Sequence, residues 1–132
     1  IKEAGGDADR VSQLRESLGA KFGILSGDDS LTLPFMAVGA EGVISVASNI
    51  IPGKISRMVE LYSAGRPAAA LKIHQKYYSM FKDLFIETNP VPVKFALALL
   101  NKCDEEYRLP LSKMTSKNRK QLVKTLKSCE LI

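Results

Sequence analysis

Short apolar runs alternate with amphipathic helical patterns over the first half of this chain, and no other feature constrains the fold as much. The predicted strands are Ile1–Ala4, which bears Lys2, and the apolar runs Phe22–Ser26 and Gly42–Val46, and each is followed by a glycine or a polar turn. Strands that alternate with helices through short connections form parallel sheets with right-handed crossovers. Residues 1–64 therefore predict an α/β segment in the order β-α-β-α-β-α, with its apolar strands covered by helices.

The segments between these runs carry helix signals. Asp7 is a suitable N-cap, because its carboxylate can accept hydrogen bonds from the free N–H groups of a first helical turn. Val11, Leu14 and Leu18 then repeat at helical spacing, which predicts a helix ending at Gly19. The predicted helices of this half are residues 8–18, residues 31–38 and a third that begins at residue 51 or 52 and ends near Gly65.

From residue 65 the pattern becomes entirely helical, which predicts a helical domain over residues 65–132. The elements expected there are a helix from Pro67 to about Phe85, a rigid extended connector at Asn89–Lys94, a helical piece over Val93–Leu100, a loop at Arg108–Leu111 and a final helix capped by Ser116 and ending near Cys129. The connector is expected to be extended because each proline restrains the residue before it.

Composition and charge set limits on function. The chain has 132 residues and a net charge of +5, and no apolar run approaches the roughly 20 residues that a membrane span needs. Its lysines concentrate in the last helix, where no aromatic side chains interleave to stack bases, so a solvated face is expected rather than nucleic-acid binding. His74, Cys103 and Cys129 lie apart from one another, and no metal site is expected.

The candidate for chemistry is Lys2, on the first strand. Gly5-Gly6 follows this strand and Gly27–Asp29 follows the second, so both turns are expected beside Lys2 at the carboxyl end of the sheet. In α/β barrels that end carries the chemistry. A lysine on a barrel strand is suited to form a Schiff base once its surroundings desolvate the amine. Lys2 is therefore the predicted nucleophile.

Five blocks of sequence carry a resemblance to a known family. In chain order they are Ile1–Asp7, Leu25–Asp29, Gly42–Val46, Asn89–Lys94 and Arg108–Leu111. They resemble segments of the dihydrodipicolinate synthase (4-hydroxy-tetrahydrodipicolinate synthase) family in the same order, and the first is similar to that family's Schiff-base lysine segment. The resemblance extends over essentially all 132 residues and departs at Gly5, where the family usually carries serine or threonine.

The resemblance implies an architecture. Residues 1–64 would be strands six to eight, with their helices, of a TIM (β/α)8 barrel, and residues 65–132 its C-terminal helical domain. Family members are about twice as long, so the chain is expected to be the C-terminal portion of a longer protein. In a closed barrel each strand has two neighbours, and three strands alone cannot close one. We therefore expect the sheet in this chain to have unpaired edges. Ile24 and Val43 are expected to be exposed, because the rest of the barrel would cover them.

The resemblance also implies an activity. Lys2 would form a covalent imine with pyruvate, and the product would arise by condensation with aspartate 4-semialdehyde in lysine and diaminopimelate biosynthesis. Gly27 and Ile44 would line the substrate site through their backbone groups, Ile44 with its carbonyl beside the bound pyruvate. No metal or organic cofactor is expected. The enzyme would be cytoplasmic and would assemble as a homotetramer, a dimer of dimers. It would bind neither nucleic acid nor a membrane.

Other functions are compatible with the same residues. N-acetylneuraminate lyases and 2-keto-3-deoxy-sugar aldolases share the fold and the lysine, although Glu3-Ala4 and Gly27–Asp29 are more similar to the synthase. The chain is also compatible with a non-catalytic barrel fragment or with a basic helical binding module. An imine-trapping assay distinguishes the enzymes from the binding module.

Overall fold

The computed structural model describes all 132 residues, Ile1–Ile132. The strands are β1 (Lys2–Glu3), β2 (Leu25–Ser26) and β3 (Gly42–Val43). The α-helices are α1 (Ala8–Leu18), α2 (Thr32–Ala37), α3 (Pro52–Ser63), α4 (Pro67–Asp83), α5 (Val91–Leu99) and α6 (Ser116–Ser128), and two short 3₁₀-helices cover Asp29–Leu31 and Ala47–Asn49. The predicted order β-α-β-α-β-α followed by helices alone is confirmed.

The three strands form one parallel sheet in the order β1-β2-β3. Lys2, Leu25 and Gly42 are paired across the sheet, and so are Glu3, Ser26 and Val43. The expected parallel, adjacent arrangement of the apolar runs is confirmed. β1 and β3 each have a neighbour on one side only, which confirms the prediction of unpaired sheet edges.

The strands are shorter than the apolar runs that predicted them. Each has two residues, whereas five-residue runs were expected at Phe22–Ser26 and Gly42–Val46. Phe22 lies before β2 and is 42% exposed, and the chain after β3 soon turns into the 3₁₀-helix at Ala47–Asn49. A residue belongs to a strand only where the neighbouring strand runs beside it. Here the chain turns away on both sides of each pair of residues, so the ladder stops after two residues.

A small core lies between the sheet and its first two helices. It consists of Val11, Leu14, Ile24, Phe35 and Ala40, all buried. The expectation that Ile24 would be exposed is wrong, since its exposed fraction is 0%. Its side chain packs in the cluster formed with residues of α1 and α2, and these helices exclude water from it. Val43 is only half-buried, and Ile44, just beyond β3, is 47% exposed.

The main core contains 21 buried residues from Leu33 to Cys129. Its members come from α2 and α3 as well as from the later helices, so one apolar core lies on both sides of residue 64. Gly65, with φ of 71°, forms the turn between α3 and α4, a backbone conformation that glycine adopts without strain. The division of the chain into residues 1–64 and 65–132 stays a prediction.

Two helix starts differ from the sequence predictions. α5 begins at Val91 rather than Val93, so the last four of the six residues in the expected connector Asn89–Lys94 are helical. Pro92 falls in the first turn, where its missing N–H costs no hydrogen bond. The N-cap of α6 is Thr115 rather than Ser116, because the Thr115 side chain accepts a hydrogen bond from the N–H of Asn118.

None of the helices combines the length and hydropathy needed to traverse a bilayer.

Candidate functional site

Lys2 lies on the edge strand β1 and its side chain passes directly over Gly27. A Cβ atom placed on Gly27 would lie 2.8 Å from Cε of Lys2 and 2.6 Å from Cβ of Ala4. Real Cβ atoms do not approach other atoms so closely, so only glycine fits here without displacing the lysine. The structure therefore brings Lys2 and Gly27 into contact, as the positions of the two turns predicted.

Gly27 and Ile44 occupy equivalent places at the carboxyl end of the sheet. Gly27 follows β2 and donates its N–H to the carbonyl of Glu3 at 2.7 Å, and Ile44 follows β3 and donates its N–H to the carbonyl of Ser26 at 2.8 Å. Neither the Gly27 carbonyl nor the Ile44 carbonyl accepts a hydrogen bond within the chain. At this end of the sheet, each of the two residues is thus anchored by the hydrogen bond of its N–H group. Its carbonyl oxygen is left free to accept a hydrogen bond from a ligand.

The turn after β1 is held by a side chain of that strand. Oε1 of Glu3 accepts a hydrogen bond from the N–H of Gly5 at 2.6 Å, and Oε2 lies 3.9 Å from Nε of Arg10. A Cβ on Gly5 would lie 2.8 Å from Oε1 of Glu3. A larger residue at position 5 would therefore need a different placement of the Glu3 carboxylate.

Asp28 organises the turn after β2. Its Oδ1 accepts hydrogen bonds from the N–H groups of Ser30 at 2.7 Å and Leu31 at 3.2 Å, so Asp28 caps the 3₁₀-helix at Asp29–Leu31. The hydroxyl of Ser26 donates to the carbonyl of Asp28 at 2.8 Å. The turn predicted as Gly27–Asp29 is thus a hydrogen-bonded structure tied to the strand before it.

Asp29 is the residue of this site whose role the sequence did not indicate. It is 1% exposed, and its Oδ2 accepts hydrogen bonds from the N–H groups of Val46 at 3.1 Å and Ala47 at 3.0 Å. Its Oδ1 is buried and accepts none. Burial raises the pKa of Asp29, an effect opposed by the nearby Ser45 hydroxyl and by the N–H groups of Ala47 and Val46.

The other candidate groups lie elsewhere. Cys103 is exposed and Cys129 buried, both as free thiols, and no three His, Cys, Asp or Glu side chains are grouped as metal ligands. His74 packs against the rings of Tyr78 and Phe81, with centroid distances of 5.7 and 5.8 Å. Its Nδ1 is buried without a partner, and burial lowers its pKa. The imidazole is therefore part of an aromatic cluster on α4.

A parallel sheet with helical crossovers, and with a lysine and two free carbonyls at its carboxyl end, is typical of α/β proteins, a class in which ligands bind at the carboxyl ends of the strands. The chain belongs to the Dihydrodipicolinate synthetase family, whose model matches residues 1–129. The resemblance found in the five sequence blocks is thereby confirmed.

Several curated relatives align with nearly the whole of this chain. It is 46% identical over 130 residues to the 4-hydroxy-tetrahydrodipicolinate synthase of Aquifex aeolicus and 50% identical over 133 residues to that of a Sulfurihydrogenibium species. These alignments cover 98% and 100% of this chain, but 44% and 45% of the relatives. The chain thus spans less than half the length of the curated relatives it matches.

Solved structures agree with the sequence comparison. The 4-hydroxy-tetrahydrodipicolinate synthase of Methylacidiphilum fumariolicum SolV superposes with a TM-score of 0.97 at 55% identity, over 98% of this chain and 43% of that one. The dihydrodipicolinate synthase of Aquifex aeolicus superposes with a TM-score of 0.95 at 46% identity, over 98% of this chain and 44% of that one. The arrangement of strands and helices described above is therefore that of the matching part of these enzymes.

Proposed function

We propose that the protein containing this chain is a 4-hydroxy-tetrahydrodipicolinate synthase, which condenses pyruvate with aspartate 4-semialdehyde in lysine and diaminopimelate biosynthesis. Membership of the family supports the reaction class. The observation that carries the proposal is the placement of Lys2 over Gly27 at the carboxyl end of a parallel sheet, where α/β barrels carry out their chemistry.

The proposed reaction begins with Lys2. Its Nζ adds to the ketone carbon of pyruvate, and loss of water leaves a protonated imine. Loss of a proton from the pyruvate methyl carbon gives an enamine, with the imine nitrogen accepting the electron pair. The enamine carbon attacks the aldehyde carbon, and the aldehyde oxygen takes up a proton. The amino group of the semialdehyde portion then displaces Lys2 and closes the ring, so the cycle needs no metal or organic cofactor.

Gly27 and Ile44 are proposed to bind pyruvate through their backbone groups. Their free carbonyls lie at the end of the sheet over which the lysine chain passes. When the N–H group of a residue is already hydrogen-bonded, its carbonyl needs little reorganisation to bind a ligand. This favours precise placement of the reacting carbon. Ile44 is proposed to lie with its carbonyl beside the pyruvate bound to Lys2.

The three strands are proposed to be strands six to eight of a (β/α)8 barrel, with residues 65–132 as its C-terminal helical domain. Both outer strands lack a neighbour on one side, and a closed barrel would supply one to each. Ile44 is 47% exposed, as expected for a side chain that other strands of such a barrel would cover. The remaining strands and the groups that bind the pyruvate carboxylate would come from the rest of the protein.

The enzyme is further proposed to be cytoplasmic and to assemble as a homotetramer, a dimer of dimers. Leu71 and Tyr78 on α4, and Phe85 just after it, are separated by seven residues and are each between 44% and 47% exposed. Large apolar side chains exposed at this regular spacing support packing against another protein surface. No nucleic acid or membrane takes part in the proposed reaction.

Replacement of the nucleophile tests the reaction. Lys2→Arg in the complete protein is expected to abolish condensation, because a guanidinium stays protonated and does not form the imine. Lys21→Arg is the matched control, since Lys21 is an exposed lysine in the connection before β2, at the opposite end of the sheet. Turnover is measured with pyruvate and aspartate semialdehyde. Activity retained in Lys2→Arg contradicts the proposal, whereas Lys21→Arg should be fully active.

A further inference from the structure

Asp29 connects the two turns that carry the proposed pyruvate-binding carbonyls. It begins the 3₁₀-helix two residues after Gly27, and its side chain extends to the turn after β3. There Oδ2 accepts the N–H groups of both Val46 and Ala47, which follow Ile44 by two and three residues. The link is buried, since Asp29 is 1% and Ala47 0% exposed. The position of the second turn thus depends on the first.

This link fixes the backbone on the far side of the Ile44 carbonyl. On the near side, the N–H of Ile44 is bound to the carbonyl of Ser26 at 2.8 Å. On the far side, Oδ2 of Asp29 holds Val46 at 3.1 Å. With both flanking peptides anchored, the Ile44 carbonyl has a defined direction although it accepts no hydrogen bond itself.

Asp29 is itself held in place from its own turn. The hydroxyl of Thr32 donates to the Asp29 carbonyl at 3.0 Å, and Thr32 is fully buried. Asp28 caps the 3₁₀-helix that Asp29 begins, and Ser26 bonds to Asp28 through its hydroxyl. A side chain on so fixed a support can act as a rigid spacer between two loops.

We propose that Asp29 is a positioning residue, which sets the direction of the Ile44 carbonyl towards pyruvate bound on Lys2. This inference rests on the proposed function. Asp29 itself touches no substrate, because its oxygens are buried beneath the two turns. Loss of its hydrogen bonds frees the turn at 45–47 and with it the carbonyl that orients pyruvate.

The role requires a hydrogen-bond acceptor rather than a charge. Both N–H groups meet the single oxygen Oδ2, while Oδ1 accepts no hydrogen bond. Asparagine can therefore reproduce the link, with its carbonyl oxygen in place of Oδ2 and its amide nitrogen in place of Oδ1. Alanine at this position leaves both N–H groups without a partner, that of Ala47 buried and that of Val46 partly buried.

The experiment compares Asp29→Ala with Asp29→Asn in the complete protein, by steady-state kinetics in both substrates. Asp29→Ala is expected to raise the KM for pyruvate at least about tenfold, because the misplaced carbonyl weakens a specific contact. The KM for the semialdehyde should change less than about threefold, and Asp29→Asn should keep the pyruvate KM within about threefold of the parent.

Asp83→Ala is the matched control for lost stability. Asp83 accepts hydrogen bonds from Gln121 at 3.1 Å and from Thr125, which join α4 to α6 and involve no residue of the sheet or its turns. Its removal is expected to lower the thermal unfolding midpoint and to leave both KM values unchanged. A structural role alone would make Asp29→Ala behave in the same way, with a lower midpoint and an unaltered pyruvate KM, and that result overturns the inference.

A second variant serves if Asp29→Ala does not fold. Val46 has φ of −76°, which proline can adopt, so Val46→Pro removes one of the two N–H donors and leaves Asp29 in place. It should raise the pyruvate KM in the same direction, and an unchanged value overturns the inference. If Lys2→Arg is active, the proposed function is wrong. If Lys2→Arg is inactive but Asp29→Ala and Val46→Pro have unaltered kinetics, only the inference about Asp29 is wrong.

Discussion

At the scale of single residues, the site depends on a glycine that leaves room for a lysine. The side chain of Lys2 occupies the space that any larger residue at position 27 would need, and Ala4 closes the same space from the other side. The backbone of Gly27 is not in the left-handed region, so the requirement is one of close approach rather than of backbone conformation. The path of the Lys2 side chain is therefore set by its contact with Gly27, the residue that follows β2.

Gly27→Ala tests this close approach. The added methyl group would lie 2.8 Å from Cε and 3.1 Å from Cγ of Lys2, so the lysine must move. Because a displacement of about 1 Å can cost a hundredfold in rate, turnover is expected to fall at least about tenfold. The measurement is kcat with both substrates saturating, together with thermal unfolding.

Gly53→Ala is the matched control for that substitution. Gly53 lies in the first turn of α3, and a Cβ there meets nothing within 4 Å. Alanine should stabilise the protein by about 0.5–1 kcal/mol, because it reduces the freedom of the unfolded chain, with unchanged turnover. Equal activity of the parent and Gly27→Ala would show that Lys2 does not need the space above Gly27.

At the scale of elements, one side chain of α1 holds the loops that enter β2 and β3. Nη1 of Arg15 donates to the carbonyls of Gly19 at 2.9 Å, Ala20 at 3.1 Å and Phe22 at 2.8 Å, and Nη2 donates to Gly39. These loops lie at the amino ends of the strands, opposite the proposed site. In barrel proteins that end serves stability, while the carboxyl end serves chemistry.

Arg15→Met is therefore expected to destabilise the fold without impairing the chemistry. Losing hydrogen bonds to several carbonyls should lower the free energy of unfolding by about 2–4 kcal/mol, with KM values unchanged in the folded fraction. Glu41→Gln is the control, because the exposed pair between Arg15 and Glu41 at 3.4 Å should contribute less than about 1 kcal/mol. Denaturant unfolding measures both, and a changed pyruvate KM in Arg15→Met would contradict this separation of roles.

Element type and order could be predicted from the sequence, whereas exact bounds could not. The alternation of apolar runs and helical patterns indicated every strand and α-helix in its correct order. Strand length depends on where the neighbouring strand ends, which no local pattern contains. The early start of α5 at Val91 was missed because the prolines of Asn89–Lys94 favour an extended connector, although Pro92 is equally suited to a first helical turn.

The candidate site was also predicted only in part. Lys2 and Gly27 could be brought together from topology alone, since the carboxyl ends of parallel strands lie at one edge of a sheet. Asp29 could not be singled out, because an acidic residue in a polar turn is ordinarily exposed and its partners, Val46 and Ala47, are 17 and 18 residues away. Hydrogen bonds between backbone and a distant side chain leave no periodic signal in a sequence.

At the scale of the whole molecule, the sheet is open at both edges while the helices share one large core. The apolar core that joins α2 and α3 to the later helices gives the sheet a fixed support, and Ile44 faces outward beside the proposed site. This arrangement places Lys2 where the rest of a barrel would enclose it and exclude water from an imine.

Chemical trapping of the imine shows directly whether Lys2 is the nucleophile. The complete protein is treated with pyruvate and borohydride, which reduces the imine to a stable secondary amine, and the modified peptide is mapped by mass spectrometry. One pyruvate-derived adduct per chain is expected, located on Lys2 and absent from Lys2→Arg. An adduct on any other lysine, or no adduct in an enzyme that still condenses the substrates, would contradict this assignment.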